Sequence, residues 1–215
     1  EGEHEMVGVF PFPLHVSCNN ILIIGKGKGK TTILGGLLVN GKQNVKIEQL
    51  AVTNAQAGYN LLCKGSGTNV DVTECCFKKC GSSGMLVNAG ATVAATRCDF
   101  MENSLYGVVC YGANTTVRLT DSTMHHNGIS GLYAYDHAVV DLHGTKTDIH
   151  SNKRIGIFAL SNAKVSIHLP SQHNTTHDNR SQNRVQEDGG SIANINADGT
   201  FTHVEEVNPW DEYDY

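Results

Sequence analysis

Three stretches, Asn103-Ser-Leu-Tyr-Gly107-Val-Val-Cys-Tyr111, Asn127-Gly-Ile-Ser-Gly131-Leu-Tyr-Ala-Tyr135 and Asn152-Lys-Arg-Ile-Gly156-Ile-Phe-Ala-Leu160, decide the fold. Each opens on Asn, places Gly four residues later and continues as a short alternating strand. Working outward, Asn54/Gly58 repeats the unit, and Cys80/Gly84 fills the register between them. Gly58, Gly84, Gly107, Gly131 and Gly156 are 26, 23, 24 and 25 residues apart. A second strand follows a small residue at Ala91-Thr-Val, Ala138-Val-Val and Ala163-Lys-Val. Each repeat then ends on an apolar anchor, giving the column Phe77, Phe100, Met124, Ile149.

A period near 24 with strands of a few residues has few physical solutions. Leucine-rich repeats need a regular Leu pattern, and helical repeats need a 3.6 period; neither is present. A parallel β-helix explains every column, because each rung hydrogen-bonds to the next and stacks like on like. Asn side chains can then bond along the axis as a ladder, and Asn tolerates the left-handed backbone of a tight turn. The fold expected is all-β, a right-handed parallel β-helix of about six rungs with capped ends. Its divisions are a cap over 1–19, the β-helix over 20–170, and a C-terminal loop, last strand and cap over 171–207. An acidic aromatic tail covers 208–215, with Trp210, Tyr213 and Tyr215 among its acids. Residues 171–190 read as a polar loop and Ser191 to Asn196 as the final strand.

Composition agrees. Charged residues make up only 17% of the chain and Gly is frequent, at 23, which suits strands joined by tight turns. The net charge of −5 offers no basic footprint for nucleic acid. The apolar run Ile21 to Ile24 is far too short for a bilayer. Seven Cys, an odd number with no CxxC, argue for buried free thiols. No signal-peptide pattern marks the start, and the compartment stays open.

The pattern resembles the pectate-lyase-like, single-stranded right-handed β-helix superfamily. Met124-His-His-Asn127, Tyr135-Asp-His-Ala-Val-Val-Asp-Leu-His-Gly144 and Gly190-Ser-Ile-Ala-Asn-Ile-Asn-Ala-Asp-Gly-Thr200 are similar to uncharacterised β-helix repeat proteins of algae and large DNA viruses. The resemblance implies the fold and little about activity, since the superfamily hosts lyases, hydrolases, epimerases, adhesins and binding modules.

Strand alternation sorts the side chains. Met85/Val87, Val108/Cys110, Leu132/Ala134 and Ile157/Ala159 are expected inside. Leu86, Val109, Tyr111, Tyr133, Tyr135, Phe158 and Leu160 are expected outside, as one apolar and aromatic stripe on rungs ~4.8 Å apart. A patch of that size marks an interface with a protein partner or a second copy, or is covered by the chain's own termini.

Several motifs point elsewhere. Gly25-Lys-Gly-Lys-Gly-Lys-Thr-Thr32 is one residue short of a phosphate loop and runs into strand, so it reads as a turn. Tyr133-Ala-Tyr135-Asp136-His137 resembles the Tyr, Asp and His signature of β-helix mannuronan epimerases. The resemblance implies Tyr135 and His137 as the acid–base pair and Asp136 facing the sugar carboxylate. The family's Pro before His is missing here, and Ala138 stands where a second acid is expected. Glu74, Arg97 and Asp121 form an alternating column that reads as an ion-pair ladder. Of 11 His, His125 and His150 share a column and are the candidate metal pair, with His126 expected on the opposite side. His143 and His168 form another stacked pair.

Taken together, the residues favour a non-enzymatic binding or assembly module without a cofactor, using the apolar-aromatic face. The alternative is a carbohydrate-active or carbohydrate-binding β-helix working on acidic polysaccharide.

Overall fold

The computed structural model describes residues 13–53, 55, 58–168 and 175–203. Regular structure among them is entirely β, in three sheets that a single coiling strand path visits in turn. The first sheet holds Leu14–Val16, Leu37–Asn40, Leu61–Lys64, Met85–Asn88, Val108–Tyr111, Leu132–Tyr135, Ile155–Leu160 and Gln182–Glu187. The second holds Ile21–Ile24, Val45–Glu48, Asn69–Thr73, Thr92–Thr96, Thr116–Thr120, Val139–His143, Lys164–His168 and Ser191–Ile195, closed by the antiparallel Phe201–His203. The third holds Thr32–Leu34, Ala51–Thr53, Cys76–Lys78, Asp99–Met101, Thr123–His125, Asp148–His150 and Thr176–His177. Every other pairing is parallel and joins strands one turn apart, for about seven turns at a spacing near 24 residues.

Side chains stack by register. Met85, Val108, Leu132 and Ile157 form one inward column, and Val87, Cys110, Ala134 and Ala159 the next, all with no exposure. Phe77 and Phe100 stack at 5.3 Å between ring centres, with Met124 and Ile149 continuing the column. Six of the seven Cys are buried free thiols. Cys75 and Cys98 sit at one corner where the next rung has Ser122, and all three donate to the carbonyl two residues earlier.

The corner between third and first sheets carries the asparagine ladder. Asn103 Nδ2 donates to Asn127 Oδ1 at 3.1 Å, Asn127 to Asn152 at 3.0 Å, and Asn152 to Asn179 at 2.8 Å. The same oxygens accept the backbone N–H of the preceding rung's Asn. Each Nδ2 also donates to the carbonyl of Phe77, Phe100 or Met124. Both polar ends of a buried amide are thereby satisfied.

Three expectations change. Residue 58 is not the register partner of Gly84: Leu61 pairs with Met85, so Asn60 holds that place, and Asn54 lies outside the described residues. The coil is also longer than the repeat suggests, because Leu14–Val16 pairs with Leu37–Val39. At the other end, most of the stretch read as a loop is a further turn through Thr176–His177, Gln182–Glu187 and Ser191–Ile195. Its sequence hid it because Arg184 and Gln186 end the two inward columns, in register with Ile157 and Ala159. A last rung closes the core, so polar groups fit there. Arg184 donates to Asn194 Oδ1, and Gln186 Oε1 accepts the Ile192 N–H. The tail over 208–215 and most of the N-terminal cap lie outside the described residues.

Candidate functional site

Register extends the outward stripe beyond the residues singled out by sequence. The column runs Leu38, Leu62, Leu86, Val109, Tyr133, Phe158, Val185, one per rung over seven rungs. At ~4.8 Å per rung it spans about 29 Å. The adjoining column carries Asn88, Tyr111, Tyr135 and Leu160. Leu86 and Val109 point outward yet are only 6% and 4% exposed. They share a depression of about 130 Å³ with Tyr59, Ser82, Leu105, Tyr106, Tyr133 and Tyr135. Turn residues Leu105 and Tyr106 thus rise beside the sheet, a contribution that strand alternation does not reveal.

The rings stack on one another. Tyr133 lies 5.1 Å from Tyr106, 4.8 Å from Tyr135 and 5.2 Å from Phe158, and Tyr111 lies 4.7 Å from Tyr135. Each such pair adds about 0.5–1.5 kcal/mol beyond its burial. Ring faces are therefore turned toward neighbouring rings, which leaves rims and hydroxyls for a ligand. Asn88 donates to the Tyr111 hydroxyl and anchors one end.

Tyr135, Asp136 and His137 are adjacent but do not form a constellation. Tyr135 belongs to the stack, while Asp136 and His137 are exposed on a turn with φ of 53° and 64°. No hydrogen bond, ion pair or ring contact joins them to Tyr135 among the described residues. Burial, then the neighbouring phenols, push Tyr135 up to about 12. A phenol so held stays protonated at neutral pH.

The histidines form two ladders. On the third sheet His125, His150 and His177 stack at 5.0 and 5.3 Å. His126 does not point away as expected: its φ of 55° turns it back, and its Nδ1 lies 2.7 Å from that of His125. Burial, then His150 and His126, hold His125 below the usual imidazole range. His177 is raised, first by its hydrogen bond to Asp178 and also by Asp148, 3.0 Å away. On the second sheet His143 stacks on His168 at 4.1 Å, and His168 Nε2 lies 3.1 Å from Asp141 Oδ1. Among the described residues, the group of three His, Cys, Asp or Glu whose donor atoms all fall within 4.8 Å of one another is Asp141, His143 and His168.

The expected ion-pair column is partly formed. Arg97 Nε donates to Glu74 Oε1 at 3.0 Å, while Asp121 instead accepts the Lys146 N–H. The Gly25 to Thr32 segment leads into strand Thr32–Leu34, and no helix occurs among the described residues.

Over residues 30–179 the chain matches the family model described as right handed beta helix region. It belongs to that right-handed β-helix family, which sets the hand of the coil. No curated protein matches it. Two solved structures are similar, both A-modules of mannuronan C-5 epimerases from Azotobacter vinelandii. The AlgE6 module has TM-score 0.32 at 14% identity, covering 89% of this chain and 81% of that one. The AlgE4 module has the same score and identity, covering 91% and 84%.

Proposed function

We propose that the chain is a non-enzymatic binding and assembly module whose first-sheet face receives the aromatic, acidic segment Asn208–Tyr215 of a second copy. The observation that carries this is the seven-rung apolar column from Leu38 to Val185, walled by stacked Tyr106, Tyr111 and Tyr135. Every member but the buried Leu86 and Val109 is partly exposed, and an apolar stripe of this length on an outer face is what docking surfaces present. Its depression of about 130 Å³ has room for one side chain of the kind that segment supplies in Trp210 and Tyr213. Lys64, on the Asn88 and Tyr111 column, and Arg154, near Tyr106, complement its acids Asp211, Glu212 and Asp214.

The test is fluorescence anisotropy of a labelled peptide of residues 204–215 against a chain ending at Val207, which lacks the segment and so does not compete with the label. Saturable binding that weakens about tenfold in Tyr133→Ser and Phe158→Ser is expected. Absence of binding, or binding indifferent to both changes, sinks the reading. A second reading rests on Asp136 and His137, which follow Tyr135 in the chain and are exposed on the turn at the end of its strand. It makes the face a site for acidic polysaccharide, and displacement of the label by a soluble polyuronate favours it.

A further inference from the structure

Asp141 and His143 are two residues apart on strand Val139–His143, so alternation puts both on its outward side. The next strand pairs Ile167 with Leu142, which brings His168 beside His143. Two imidazoles and a carboxylate thus meet on a rigid parallel ladder, with their donor atoms within 4.8 Å of one another. We propose that Asp141, His143 and His168 form a binding site for a divalent transition-metal ion of the zinc type.

A second observation points the same way. His143 Nε2 is enclosed and has no hydrogen-bond partner among the described residues. A buried imidazole nitrogen without a partner is uncommon, and its lone pair is what a metal takes. The donor set selects the ion. Hard calcium and magnesium want oxygens, whereas imidazole with one carboxylate suits zinc and its neighbours. Tetrahedral zinc at about 2.0–2.1 Å from each ligand needs donors roughly 3.4 Å apart. His168 and Asp141 already stand at 3.1 Å; the His143 ring, stacked on His168 at 4.1 Å, must turn out of that stack to aim its lone pair at the same point. All three side chains are half-buried, leaving a fourth position for water. Arg118, in register with Asp141 on the preceding rung, is exposed and sets a cation beside the site. Asp141 offsets it. The site lies on the second sheet and does not depend on the first-sheet face.

The experiment is calorimetric titration of zinc chloride into the untagged full chain after chelator treatment. One ion per chain is expected. Loss of a mere supporting partner weakens metal sites 10–100-fold, so His143→Ala and His168→Ala, which remove ligands, should weaken binding by at least about 100-fold. His150→Ala, on the other ladder, should leave binding unchanged, and Arg118→Ala should tighten it. Circular dichroism confirms that the variants are folded. If either alanine variant is not, Asp141→Asn and His168→Gln replace it with the same expected weakening. Cobalt should give the visible absorption of a tetrahedral ion with nitrogen ligands. No binding at about 100 μM zinc, unchanged affinity in a folded ligand variant, or loss on His150→Ala instead overturns the proposal.

Discussion

Asn127 Nδ2 donates to Asn152 Oδ1 at 3.0 Å and to the Phe100 carbonyl at 3.1 Å, while Asn127 Oδ1 accepts both the backbone and the side-chain N–H of Asn103. One amide thus joins three successive rungs. Asn127→Ala leaves several of these groups buried without partners, at about 1–3 kcal/mol for each. A total loss near 3 kcal/mol is expected, lowering Tm by roughly 6–12 °C in a chain of this size. Thermal unfolding followed by circular dichroism checks it; a shift under ~2 °C would show that the ladder contributes little.

The glycine four places on has a different duty. A Cβ on Gly131 would stand 2.4 Å from Ile149 Cγ2 and 2.9 Å from Asn152 Nδ2, so the turn can pass the next rung only without a side chain. Gly131→Ala should cost about 1–3 kcal/mol by overpacking. Gly58→Ala meets nothing within 4 Å and should stay within about 0.5 kcal/mol of the parent or gain slightly. Denaturant midpoints for the pair measure the contrast.

These two positions also show how far the sequence could be read. The Asn and Gly columns are periodic because identical neighbours satisfy each other, so the repeat, the inward columns and the outward stripe were legible from spacing and alternation. The last turn was not, since Arg184 and Gln186 occupy inward places where no further rung packs. Leu62 escaped notice because Asn60, not Gly, precedes its strand, and Tyr106 because a turn residue obeys no alternation. His143 and His168 were legible as a stacked pair, and alternation puts Asp141 on the same side of its strand, but the approach of that carboxylate to His168 on the next rung appears only in the folded chain.

Thiol reactivity should separate one cysteine from six. Cys18 is exposed, whereas burial pushes Cys98 and Cys110 up to about 12 and Cys75 to about 11. Since the thiolate is the reactive form, a disulfide reagent should titrate one thiol in the native chain and seven in denaturant. Rapid native reaction of two or more would contradict the buried columns.

His177 gives a pH signature. Its hydrogen bond to Asp178, together with Asp148, raises its pKa when folded. The imidazolium contribution is therefore complete below the unfolded value near 6.5 and is lost as pH rises through the folded value. The stability difference between the parent and His177→Gln should shrink from pH 5.5 toward pH 8. A difference that is flat, or that grows with pH, would show the ion pairs to be absent in solution.

The central claim, that the first-sheet face joins copies through Asn208–Tyr215, is tested most directly by light scattering on the full chain, on a chain ending at Val207, and on Phe158→Ser. The account predicts that the full chain has a multiple of the single-chain mass of 23.2 kDa, and that both variants fall to that mass while keeping the parent's circular dichroism. A full chain that stays at 23.2 kDa across concentration, or an oligomer that persists in both variants, would contradict it.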